Sequence, residues 1–320
     1  VRLCELDVQI EGTWLEPLLE RVYEELGERG LRIRPDAWVS DEWASPDGIP
    51  GIQIPFYVLH PRLRAIERRM MHYVEGGAKR EALRLIRHEM GHAMQHAWAL
   101  QRRADWRRVF GRSRPYPSEY RPNPASRNFV QHLPGWYAQS HPSEDFAETF
   151  AVWLNPTSAW RRHYAGWRAL QKLEYVDELA KRLPQMKRAS RRRGRPHALR
   201  TLRSTLGEYY EVKRAHYGAG YADTYDGDLR RLFSDDPGHA GEELAATFLR
   251  RQRQLLRETV SRGTGQHTLV VDHLLDEVIG RCRELGLRAP GDERKLRLEV
   301  AVVLTAHTVH SIHSRQWRAV

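Results

Sequence analysis

The sequence predicts an α+β fold that is mainly α-helical, with a small β-sheet near the N-terminus and an all-α region at the C-terminus. Three observations lead there. Apolar residues recur at three- and four-residue intervals along most of the chain, the period of a helix with one buried face. β-like patterning is confined to residues 31–60. A basic run with Gly and Pro, Lys187-Arg188-Ala189-Ser190-Arg191-Arg192-Arg193-Gly194-Arg195-Pro196, separates this mixed part from one with helical patterning alone. The expected organisation is a first domain over 1–185, a basic linker over 186–204 and a helical C-terminal domain over 205–320.

The elements follow in chain order. Trp14, Leu15, Leu18, Leu19, Val22, Tyr23 and Leu26 share helical spacing, and Gly27 and Gly30 close that helix, predicted over 14–29. Leu31-Arg32-Ile33-Arg34 alternates as a strand does. Gly51 to Leu59 is a second strand candidate, which Pro55 restricts to a sheet edge. Such an edge could pair with an extended peptide, or a loop could cover it. Residues 61–71 read as a short helix, 75–77 as a turn and 79–102 as a long helix. Residues 111–142 form a loop rich in Pro, with Arg112, Arg114, Arg121 and Arg127 either lining a cleft or simply solvated.

A helix start follows at Pro142, with Ser143, Glu144 and Asp145 where backbone N–H groups and the helix dipole favour negative charge. After Asn155-Pro156 the chain is helical again, with Trp160, Tyr164, Trp167, Leu170, Leu173 and Val176 as core candidates. Downstream of 205, helices are predicted over 206–217, 226–234, 240–262, 266–286 and 292–315. Tyr209, Tyr210, Tyr217, Tyr221 and Tyr225 read as a packed seam rather than a recognition surface. His307, His310 and His313 recur every three residues and could hold a second metal, though no acid or cysteine accompanies them there.

The strongest chemical signal lies in the 79–102 helix: His88-Glu89-Met90-Gly91-His92. Two histidines four apart sit on one helix face and can bind one Zn²⁺ together. Glu89, beside them, is placed to take a proton from a water activated there. A catalytic zinc needs three protein ligands and an open position. Tyr137-Ala138-Gln139-Ser140-His141-Pro142-Ser143-Glu144-Asp145-Phe146-Ala147-Glu148 supplies the third, with Glu144. Glu148, one turn on, is placed to hydrogen-bond a ligand histidine and fix its tautomer. Gly91 lets another helix approach closely. His96 lies a full turn too far along the axis to join the ligands, and reads as packing or as a residue that supports a ligand by hydrogen bonding. His141 could donate a hydrogen bond in catalysis or brace the turn at Pro142. Two unrelated amphipathic helices remain the weaker account, because both motifs occur in order and in helical settings.

At these residues the chain resembles the zincin metallopeptidases, in particular the gluzincin-like branch. The pattern of Tyr137, Glu144 and Glu148 looks like that of anthrax lethal factor. The wider S-H-P-x-E-D-x-A-E-T pattern is similar to bacterial zinc-binding metallopeptidase families. The resemblance covers roughly residues 50–175. It implies a zincin-like catalytic domain with His88, His92 and Glu144 as zinc ligands, Glu89 as general base and Glu148 in support. It also implies Tyr137 as hydrogen-bond donor to the tetrahedral intermediate. The chain departs from thermolysin, having Glu148 where that enzyme has Asp, and lacks the third histidine of the metzincins. The substrate does not transfer through this resemblance.

Composition bounds the rest. Hydrophobic residues make up 41% of the 320, enough for a core and against wholesale disorder. No apolar run approaches the ~18 residues of a membrane span. The first residues carry acids where a signal peptide needs an apolar region, so the reading is cytoplasmic. Cys4 and Cys282 are far apart, which disfavours a disulfide framework. The formal net charge of +11 is carried mainly by arginine. It reflects coding composition, or a basic field for acidic substrates or nucleic acid.

The leading expectation is a zinc-dependent peptidase acting on a peptide or protein, possibly an acidic one. The alternative is a nucleic-acid-associated protein, or a SprT-like protease that joins a zincin site to DNA binding. A metal-stabilised scaffold without catalysis is disfavoured by Glu89, since structural zinc needs no general base.

Overall fold

Gly30 shows how the first helix ends. In the computed structural model, which describes residues 1–71, 74–112, 115–117, 120, 122–189, 194–218, 225–266 and 268–314, helix α1 spans Glu16–Glu28. Gly30 follows with φ +78°, and the Leu31 N–H reaches back to the Leu26 carbonyl at 2.9 Å. A glycine in this left-handed conformation satisfies carbonyls that the last turn would leave open. Leu18, Leu19, Val22 and Leu26 form the buried face.

The predicted strand at 31–34 is not one. Leu31 and Ile33 are buried, as their alternation requires, but this stretch pairs with nothing as a ladder. Pro35 carries no N–H for a sheet, and the strand begins just after it. β1 is Asp36–Ser40 and pairs in parallel with β2, Gly51–Pro55. Trp38 lies opposite Gln53 in that register. β2 stops at Pro55 rather than Leu59, and Phe56–Val58 turns as a short 3-10 segment. The outer edge of β2 is occupied: the Gln53 N–H donates to Ala44 O (2.7 Å) and the Ser45 hydroxyl to Gly51 O (2.8 Å). Of the two expectations for this edge, the covering loop is the one realised.

Helix α2 spans Pro61–Met71 and α3 spans Lys79–Trp98. From Leu85 to Trp98 every residue of α3 is buried. A helix buried all round belongs in the middle of a domain, and α3 packs against α1, β2 and α5. Its last residue, Trp98, falls four short of the expected 102; Ala99 in the left-handed region (φ 47°) caps it, followed by a 3-10 turn at Leu100–Arg102. Helix α4, Ala104–Phe110, was not foreseen. Helix α5, Pro142–Leu154, is buried from Ser143 onward. Helices α6 (Trp160–His163) and α7 (Ala169–Arg182) complete this region. Phe146, Phe150 and Trp153 of α5 join Trp106 and Phe110 in an aromatic cluster.

The stretch after α7 runs back along the same elements. Ala189 N–H donates to Ala97 O, and the side chains of Trp38 and Gln53 both donate to Pro196 O. Arg195 makes a bidentate pair with Asp36. Arg191, Arg192 and Arg193 lie outside the described residues.

Helix α8 spans Leu206–Gly218, and the chain divides within it into two compact units, 1–209 and 210–315. In the first, Tyr209 is buried, and its hydroxyl donates to Asp41 O. The second holds α9 (Asp226–Leu232), α10 (Ala245–Thr264), α11 (Thr268–Glu284) and α12 (Glu293–Ser314). Leu229, Phe233, Phe248, Leu249, Leu275 and Leu304 lie in its core, with Tyr225. The Tyr225 hydroxyl donates to Glu277, while the side chains of Tyr217 and Tyr221 are outside the description. Many arginines here are matched to acids, as in Arg281 with Asp226 and Arg253 with Asp272 and Asp276. Among the described residues no helix is long and apolar enough to cross a membrane.

Candidate metal centre

The centre is built where α5 crosses close to α3. A Cβ on Gly91 would lie 2.8 Å from the Ala147 Cα and 3.2 Å from the Phe150 Cβ. Only a residue without a side chain permits this approach. Rotation of α3 is fixed from its other neighbours. Arg87 makes a buried bidentate pair with Glu25 of α1, at 2.7 and 2.6 Å. Lys172 of α7 holds Asp145 at 2.6 Å, anchoring the first turn of α5. His88 and His92 then project from α3 toward Glu144 of α5.

Three donor atoms converge. Glu144 Oε2 is 3.0 Å from His88 Nε2 and 3.1 Å from His92 Nε2, and the two imidazole nitrogens are 3.1 Å apart. All three residues are buried, and among the described residues they are the group of donors close enough to hold a metal ion. Ligands ~2.0–2.1 Å from a tetrahedral zinc stand roughly 3.3 Å from one another, so the set fits that ion with little adjustment. The electrostatics agree. Burial works against a charge on His88, yet Glu144 and Glu148 outweigh it and push its pKa well above the ordinary value. Burial likewise opposes the Glu144 charge, but His92 and His88 hold its pKa well below the usual carboxylate range. Two buried carboxylates, Glu144 and Glu148, thus border the imidazoles.

Two of the three candidate ligands, His88 and Glu144, have supporting contacts. His88 Nδ1 lies 2.8 Å from Glu148 Oε1, and Glu148 Oε2 accepts the Leu133 N–H at 2.8 Å. With Nδ1–H donating to Glu148, the Nε2 lone pair is left for a metal. Tyr116 donates its hydroxyl to Glu144 Oε1 at 2.6 Å. His141 Nδ1 accepts the Ser143 N–H at 3.1 Å and caps α5.

Two further groups border the cluster. Glu89 is 6% exposed; burial, reinforced by Glu144 and Glu148 and opposed by the two imidazoles, raises its pKa. The Tyr137 ring centroid is 5.7 Å from that of His88, and burial with the nearby carboxylates holds its phenol well above the usual pKa. Tyr137 sits in a 3-10 segment, Pro134–Gln139, that bends at Gly135 (φ 76°) and Trp136 (φ 53°).

This arrangement can now be set beside known proteins. Residues 64–189 match the model of a family described as "Putative zinc-binding metallo-peptidase". That stretch contains α3, α5 and every residue of the cluster. Comparison with curated proteins and with solved structures gives no match.

The sequence-predicted residues His88, Glu89, His92, Tyr137, His141, Glu144 and Glu148 therefore meet in one place. His96 does not join the donors: its Nδ1 accepts the Gly48 N–H at 3.2 Å. His307 lies 2.6 Å from Asp228, while the side chains of His310 and His313 lie outside the description. Of the loop arginines, Arg112 and Arg127 are exposed, and Arg114 and Arg121 lie outside the described residues. Sequence reading missed Tyr116 and the Leu133 N–H. Tyr116 stands between Pro115 and Pro117 with no spacing motif to mark it, and a backbone donor carries no residue signal.

Proposed function

We propose that the protein is a zinc-dependent metallopeptidase that hydrolyses peptide bonds. The observation that carries this is the convergence of His88 Nε2, His92 Nε2 and Glu144 Oε2 within 3.1 Å of one another, with Glu89 and Tyr137 at the rim. Zinc held there polarises the scissile carbonyl and makes water nucleophilic near neutral pH. Glu89 takes the proton of the attacking water and returns it to the leaving amine. Its burial raises its pKa above that of a free carboxyl. Tyr137 donates to the oxygen of the tetrahedral intermediate, and Glu148 holds His88 in the ligating tautomer. The Glu148–Leu133 bond also ties the Tyr137 loop to α5.

Peptides with acidic side chains are the first substrates to try, because the chain carries a formal charge of +11. Metal analysis of the purified protein should give near-stoichiometric zinc, lost in His92→Ala and Glu144→Ala. Glu89→Gln should keep the metal and lose peptide cleavage. Tyr137→Phe should keep it and slow turnover by about 10²–10³. A Glu89→Gln protein as active as wild type would overturn the mechanism.

A further inference from the structure

Glu144 uses its two carboxylate oxygens differently. Oε2 faces both histidines, at 3.0 and 3.1 Å. Oε1 receives the hydroxyl of Tyr116 at 2.6 Å. That distance is typical of a charge-assisted O–H···O⁻ bond, the stronger kind.

The phenol is held from two sides. Its ring stacks on His141, with centroids 3.9 Å apart and planes 22° from parallel. His141 is itself fixed by accepting the Ser143 N–H. Ser143 Oγ in turn accepts from Gln95 Nε2 at 3.1 Å. Gln95 on α3 thus braces Ser143 on α5, whose N–H fixes the His141 ring that stacks on Tyr116. Tyr116 as a residue is 46% exposed, while its hydroxyl reaches the buried Glu144. An exposed tyrosine rigidly aimed at one oxygen of a candidate ligand is not required for packing the core.

A carboxylate can bind a metal through one oxygen or two. Two-oxygen binding fills an extra position, whereas a catalytic site must leave one open for substrate. We propose that Tyr116 is a positioning residue that occupies Glu144 Oε1, restricts Glu144 to ligation through Oε2, and so preserves an open position at the ion. The proposal rests on the reading of this cluster as a metal centre.

Cobalt(II) reports coordination number directly, since four-coordinate ions absorb visible light much more strongly than five-coordinate ones. The test loads the full-length wild type and Tyr116→Phe with cobalt(II) in place of zinc. Phe keeps the ring stacked on His141 and removes only the hydroxyl, and a thermal melt checks that the fold is intact. Wild type is expected to show intense four-coordinate bands. Tyr116→Phe is expected to bind the same equivalents of cobalt with weaker, five-coordinate bands, as Glu144 closes on the ion with both oxygens. Identical spectra would overturn the proposal. So would loss of cobalt from a folded Tyr116→Phe, since the phenol would then be holding the ligand set together. A wild type that binds no cobalt and no zinc would instead bring down the metal-centre reading itself, and this proposal with it.

Discussion

His88 and Glu148 are joined by a buried contact of 2.8 Å between Nδ1 and Oε1, and the other Glu148 oxygen accepts the Leu133 N–H. One carboxylate therefore orients a candidate ligand histidine and pins the chain leading to Tyr137. Burial opposes its charge, yet the bond to His88 and the nearby imidazoles keep its pKa below the ordinary value. Glu148→Ala should retain the fold but weaken zinc binding about 10–100-fold, the usual effect of losing such a partner. Competition with a chromophoric chelator measures this. Unchanged affinity would show that His88 is oriented by packing alone.

Gly91 sits inside a helix, where glycine costs about 1 kcal/mol relative to alanine. Gly91→Ala should therefore stabilise α3 if local propensity ruled. The added Cβ would lie 2.8 Å from the Ala147 backbone, however. Overpacking of this kind costs about 1–3 kcal/mol and forces helices apart. The expected outcome is a lower unfolding free energy and weaker zinc binding together, because Glu144 moves with α5. A more stable variant would refute the packing argument.

Glu25 and Arg87 form a bidentate pair whose side chains are each 5% exposed. Glu25→Ala would leave the guanidinium charged and buried, a loss of about 3–5 kcal/mol. Chemical denaturation should show it. Replacing both residues with apolar ones of similar size should recover most of the stability, since the desolvation of two charges is then relieved as well.

His96 gives a pH dependence with a definite sign. Burial, helped by nearby His92 and opposed by exposed Asp47 and a backbone hydrogen bond with Ser45, lowers its pKa from the ordinary 6.5 to about 4. Above 6.5 it is neutral whether folded or unfolded. As pH falls from 6.5 to 4, the unfolded chain takes up a proton that the folded one refuses, so stability declines across that window, by roughly 3 kcal/mol. His132 behaves alike: burial brings it to about 4, against the pull of Glu148. His96→Gln, which keeps an acceptor for the Gly48 N–H, should lose less stability than wild type between pH 6.5 and 4 in the same buffer. Parallel curves would mean that His96 is protonated in the fold.

Much of the fold was legible because helix signals are local. The apolar spacing of 14–29 and the Pro142-Ser143-Glu144 start needed no knowledge of partners, and α1 and α5 fall where they point. The strand at 31–34 failed for the opposite reason. Alternation reports which side chains are buried, and Leu31 and Ile33 are. It says nothing of whether a neighbouring strand offers hydrogen bonds, and that is found only after Pro35. Helix α3 ends early, capped by Ala99, a residue whose left-handed conformation no propensity foretells.

The sequence by itself determined the chemical inventory: two imidazoles on one helix face, an acid beside them, and two more acids one turn apart on a second helix. Helical periodicity dictates those placements, and it acts within a few residues. The tertiary structure alone decided how the inventory is used. The approach of α5 at Gly91 brings Glu144 Oε2 to both histidines, and the loop before α5 delivers Tyr116 to Oε1 and the Leu133 N–H to Glu148. These contacts join groups that the chain separates by between 15 and 56 residues, and only packing of the two helices sets the 3.0 and 3.1 Å distances between the candidate donors.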